Sequence, residues 1–220
     1  MKAYQKIDGG VLMSMREYDI AETTVIKPGQ VVQLSGGLVA AAAAAQTGAV
    51  LGIAAEGHAG AEDALNPRAN GTKILVYDDP DLVFRCQAPV GTAGAGSTAT
   101  TVVIGGLGAF AADDFNGGWL VLLEKGADST NTDPVGTARH ITDFAITSGT
   151  GTFTVPAGGT ASAGDKFAVF PPVGFAKGKL SADAMALVLT DTAALALKVV
   201  GRKGGDILMM ARKHALGAGE

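Results

Sequence analysis

A chain of 220 residues, 47% hydrophobic and 17% charged, can bury a core as one larger domain or two small ones. Aromatics make up only 5% while glycine numbers 32, so bulk comes from small aliphatic residues, a composition suited to sheets, turns and close subunit packing. The net charge of −4 comes from scattered residues, which leaves no basic stripe to neutralise a phosphate backbone and argues against nucleic acid as a direct partner.

Residues 1–26 show neither a helical nor a strand period and mix Asp8-Gly9-Gly10 with the charged run Arg16-Glu17-Tyr18-Asp19. That pattern predicts an N-terminal arm or edge segment, of the kind that gains order by adding a strand to a neighbour's sheet. The same stretch lacks a continuous apolar h-region, and no window reaches the roughly 18 uninterrupted apolar residues of a membrane helix. The expectation is a soluble protein, neither exported by a signal peptide nor anchored in lipid.

Residues 27–56 carry almost no charge. Lys27-Pro28-Gly29 is a turn signal, residues 31–34 are a short strand, and Ser35-Gly36-Gly37 offers positive φ for a reversal into Leu38 and Val39. After the alanine run Gly48 punctuates the chain, and residues 49–55 (AVLGIAA) read as a second buried strand. Such small-residue strands pack backbones closely and leave no room for a polar pocket, which favours a structural part over a reaction chamber.

Residues 57–70 read as a loop. Residues 74–87 read as a β-hairpin, ILVY and LVFRCQ joined by a turn at Asp78-Asp79-Pro80-Asp81. Three aspartates so close raise a Ca²⁺ site, but neither EF-hand spacing nor a bidentate Glu follows, and Asp is a common turn residue. Cys86, the single cysteine, has no partner for a disulfide or a CxxC pair and reads as a small buried hydrophobe.

Residues 88–97 (APVGTAGAGS) read as a linker. Gly91, Gly94 and Gly96 lack the strand before and helix after that a dinucleotide loop needs, so they read as flexible connection. Residues 100–104, 118–123, 138–144, 152–156 and 166–170 are five short strands, which argue for a small sandwich or barrel inserted as its own subdomain. Trp119 reads as core and His140 as a solvated strand position. In the tail, residues 175–180, 186–190 and 194–200 are strand candidates, and residues 202–206 turn the chain into 207–212. Arg202, Lys203, Arg212 and Lys213 form the one basic cluster, a soluble turn and terminus or a contact for an acidic partner.

His58, His140 and His214 lie in separate regions, and no GxSxG, HExxH, P-loop or CxxC pattern occurs. Glu56 and Glu124 are imaginable as a glycosidase pair, but sequence cannot show their separation. The reading is of a non-enzyme with no catalytic, cofactor-binding or metal-binding residues and no cofactor.

The segments GQVVQLSGGLVAAAAAAQTGAVLGIAAEG and TKILVYDDPDLVFRC, together about residues 25–87, resemble the head decoration, or capsid cement, proteins of tailed bacteriophages. The middle block, with GGWLVLLEKG, ARHITDF and AGDKFAVFPP, looks like a β module inserted in phage structural proteins. The resemblance implies a mainly β fold: a compact β-tulip or barrel-like capsid-binding domain from residues 27–90 and 174–220, after an arm at 1–26. A small β-sandwich or barrel is inserted at 91–173. It implies synthesis in the host bacterial cytoplasm and a place on the virion exterior. There the protein, as a homotrimer, would bind the expanded capsid and clamp neighbouring major capsid protein subunits, with no membrane contact. The alternative is a phage tail-tube or head-completion protein, which forms rings.

Overall fold

The computed structural model describes residues 2–6, 14–59, 71–182, 186–212 and 214–215, with side chains from residue 14 onward. Before the middle block the strands are β1 (Lys2–Lys6), β2 (Met15–Asp19), β3 (Val31–Ser35), β4 (Leu38–Ala41), β5 (Gly52–Ala54), β6 (Lys73–Tyr77) and β7 (Leu82–Gln87). The middle block holds β8 (Val90–Thr92), β9 (Thr101–Ile104), β10 (Trp119–Glu124), β11 (Ala138–His140), β12 (Asp143–Thr147), β13 (Thr150–Thr154) and β14 (Lys166–Phe170). The tail adds β15 (Lys179–Leu180), β16 (Leu187–Val188), β17 (Leu197–Lys203) and β18 (Asp206–Ala211). The mainly β expectation is borne out: among the described residues every regular element is a strand, and no helix is long and apolar enough to cross a membrane.

One sheet runs β2-β6-β5-β3-β4 and a second runs β1-β7-β18-β17. The five-stranded sheet curls around Ile20, Ile26, Val32, Val39, Leu51, Ala54, Ile74 and Val76. Its two ends meet at a single bridge, Ile20 with Val39. One bridge is not a ladder, so the sheet stays open. The β3–β4 reversal follows from Gly36 and Gly37, at φ 58° and 84°, the two consecutive left-handed residues of a tight hairpin turn.

In the middle block the strands pair among themselves, as β11-β10-β14-β8 and β12-β13-β9. Alternation in β10 buries Leu120 and Leu122, and β9 buries Val102 and Ile104 in the same cluster, which gives a sandwich of two small sheets in place of a barrel. Phe115 sits at its centre, 4.7 Å from Phe144 and 5.1 Å from Phe175 between ring centroids. This cluster continues through Phe84, Ile207 and Met209 to Val31 and Ile53, so one core underlies most of the chain.

Four expectations are corrected. Residues 74–77 and 82–87 are strands but not a hairpin: β6 pairs with β2 and β5, while β7 pairs with β1 and β18. The reason is that Ile74 and Val76 serve the core of the curled sheet whereas Leu82, Phe84 and Cys86 serve the larger one, so the turn carries the chain from one sheet to the other. Residues 138–144 are two strands, because Ile141 N–H donates to Gly118 and Thr142 N–H to Thr154 in the opposite sheet. The buried strand expected at 49–55 is regular only over β5, with Val50 and Leu51 buried beside it. The linker at 88–97 contains β8, and Gly91 is a packing position there: a Cβ would meet the Ile104 side chain. Of the loop expected at 57–70, residues 60–70 lie outside the described residues.

Candidate interaction surface

β1 and β2 lie at the edges of different sheets, and both run antiparallel to consecutive parts of one stretch of chain. Lys2 to Lys6 align with Arg85 to Leu82, and Met15 to Asp19 with Tyr77 to Lys73. Edge strands leave one row of backbone donors and acceptors unmatched, the feature that lets a partner strand add on. In β2, Met15, Arg16, Glu17 and Asp19 are exposed, so the strand is not held by a large apolar face.

It is held by a carboxylate instead. Asp78, just after β6 and 1% exposed, accepts hydrogen bonds from Ser14 Oγ at 2.8 Å and Tyr18 Oη at 2.5 Å, with Arg16 Nε 3.4 Å away. Burial, then the Asp78 carboxylate, pushes the Tyr18 phenol up to about 12, so it stays a donor. The turn chemistry expected of the aspartates is also present: Asp79 Oδ1 accepts from Asp81 N–H at 3.1 Å and Asp79 O from Leu82 N–H at 3.0 Å. Sequence reading missed the role of Asp78, whose only local sign was an aspartate directly after an apolar strand.

A second projection is the β3–β4 tip. A Cβ on Gly36 or Gly37 would meet nothing within 4 Å, and Leu34 and Leu38 beside the turn are exposed large hydrophobics.

The residues considered for chemistry are dispersed. His58 is fully buried with its ring nitrogens 2.7 Å from the carbonyl oxygens of Thr24 and Gly71. His140 packs on Trp119, and His214 is buried in a bridge to Val50, where burial pushes its imidazole below the ordinary value. Glu56 accepts from Leu75 N–H at 2.9 Å and Glu124 is bound to Lys166 at 2.8 Å, so each carboxylate has a structural contact. Cys86 lies in the core, and burial pushes its thiol up to about 11. Among the described residues no group of three His, Cys, Asp or Glu side chains is placed to hold a metal ion. The basic cluster is split: Arg202 and Lys203 lie at one end of the β17–β18 hairpin, and Arg212 follows Ala211 at the other, roughly 17 Å away by strand rise. Lys213 lies outside the described residues.

The middle sandwich contains a polar network. Asp165, fully buried, accepts from Gly126 N–H, Asn131 Nδ2 and Ser162 N–H at 2.9, 3.0 and 3.0 Å. Arg139 reaches Asp133 with Nε at 2.8 Å and also binds the carbonyls of Ala99 and Gly159. Burial raises both aspartates, but the donors outweigh it and hold both carboxyls below the ordinary value. Trp119, expected in the core, is half-buried at its rim.

These features define an all-β protein of several open antiparallel sheets, with its N-terminal strands on sheet edges. Comparison with protein-family models, with curated proteins and with solved structures produces no match to this chain.

Proposed function

We propose that this chain is a structural virion protein that binds the outside of the expanded phage capsid and stabilises contacts between major capsid protein subunits. The observation that carries the reading is the position of β1 and β2 on sheet edges, next to the segment that resembles capsid cement proteins. A partner strand can add to such an edge through main-chain hydrogen bonds, and the exposed Leu34 and Leu38 add an apolar contact. Binding only the mature lattice stabilises it by mass action, and many repeated copies make modest affinity per copy sufficient. The arm at residues 1–26 is the element proposed to reach the capsid, and the working oligomer is a homotrimer.

The test is the mass of the purified chain by light scattering, followed by co-sedimentation with emptied, expanded capsids. A trimer, or a monomer that trimerises on the shell, is expected in the pellet, and removal of residues 1–6, which leaves β2 and the buried Ile20 and Ile26 in place, is expected to reduce occupancy. Full occupancy without those residues rejects the role of the arm. Rings or tubes that ignore capsids reject the cement reading and favour a tail-tube or head-completion protein.

A further inference from the structure

Trp119, the chain's only tryptophan, is built into a surface recess. The strand register places it opposite Phe170 on one side and His140 on the other. The His140 ring meets it edge-on at 5.1 Å, and the Arg202 guanidinium lies over it, 4.4 Å from the ring centroid. Phe170, Pro171, Pro172, Val173 and Val199 complete a cavity of about 170 Å³. Val173, at its rim, is 75% exposed.

Stacking on an indole holds a guanidinium flat and leaves its N–H edges pointing outward, so less side-chain freedom is lost when they bind. Among the described residues neither Arg202 nor the Trp119 indole N–H has a hydrogen-bond or ion-pair partner. The acidic residue of the same hairpin, Asp206, is held by Arg85 Nε at 2.9 Å and does not neutralise Arg202. No carboxylate lines the recess.

We propose that this recess recognises a partner-protein segment that carries Asp or Glu beside an aliphatic side chain. The carboxylate accepts from the Arg202 fork and the Trp119 N–H, and the aliphatic group packs over Pro172 and Val173. Charge complementarity sets the sign of the occupant, and the apolar walls set its neighbour. A phosphate backbone fits poorly, since a single guanidinium over an apolar floor is not a basic track. This goes beyond capsid binding and holds whichever protein supplies the segment.

Because Trp119 is the only tryptophan, its emission reads the site directly. The full chain is titrated with the capped peptide acetyl-Leu-Glu-Leu-amide and with its Gln counterpart. The expected result is a saturable change with the Glu peptide, at least about tenfold weaker with the Gln peptide and with Arg202→Gln, and weakened by salt. Arg202→Lys keeps the charge without the planar fork and is expected to fall between, which preserves the test if Arg202→Gln does not fold. The proposal is overturned by no saturable response, or by equal response to the Glu and Gln peptides. A concentration-dependent emission change in the protein alone that Arg202→Gln abolishes also overturns it, because the occupant is then a second copy. None of these outcomes depends on whether the chain binds capsids.

Discussion

The Tyr18 hydroxyl donates to the Asp78 carboxylate at 2.5 Å and joins the edge strand β2 to the point where the chain leaves one sheet for the other. Ser14 donates to the same carboxylate, so two side chains of the N-terminal segment depend on one buried acceptor. Tyr18→Phe is expected to lower unfolding free energy by about 1 kcal/mol, and Asp78→Ala by about 2–3 kcal/mol because it strands both hydroxyls. Urea unfolding measures both, and the double variant should cost less than the sum. Additive losses would show that the two residues act separately.

Acid should weaken the fold in two stages. The His214 imidazole is lowered in the folded state, so its contribution is complete above the unfolded value of 6.5 and is lost as pH falls through the folded value. Asp133 and Asp165 are lowered as well, so theirs is complete above 3.8 and is lost only below it. Unfolding free energy measured from pH 8 to pH 3 should therefore fall first below 6.5 and again below 3.8. His214→Phe should remove the first stage and leave the second.

Gly52 is expected to be intolerant of any side chain, since a Cβ there would run into the Tyr77 carbonyl oxygen across the β5–β6 pair. Gly52→Ala should destabilise by about 3 kcal/mol or prevent folding. Gly48→Ala, whose Cβ would find only Gln46 Nε2 at 3.6 Å, should stay within about 0.5 kcal/mol. Thermal melting of the two variants checks the contrast, and equal melting temperatures would reject it.

Arg139 holds Asp133 and the carbonyls of Ala99 and Gly159, and is itself buried. Arg139→Ala is expected to destabilise by about 3 kcal/mol because it leaves a partly buried carboxylate without its counter-charge. That corresponds to a fall in melting temperature of roughly 6–12 °C for a chain of this size. Arg139→Lys should recover only part of it, since an ammonium cannot satisfy three separated acceptors in one plane. Full recovery with Lys would mean that charge alone matters.

Where strands form was largely legible, because the signals are local. The Gly36-Gly37 turn, the alternation of β10, the continuous apolar run of β14 and the apolar character around Cys86 can each be read within a few residues. Which strands pair was not. The runs 74–77 and 82–87 looked like a hairpin because a turn separates them, yet their apolar faces belong to different clusters. Likewise 138–144 looked like one strand, because nothing local marks the exchange of hydrogen-bond partners at Ile141 and Thr142.

By itself the sequence determined an all-β chain and most of its turn positions, since backbone preference and side-chain period act over neighbouring residues. Tertiary structure alone decided that β1 and β2 border two different sheets, that Ser14 and Tyr18 meet Asp78, and that Arg202 settles on Trp119. These contacts join residues far apart in the chain. They depend on which apolar face enters which core, a competition among all the strands at once that no local window contains.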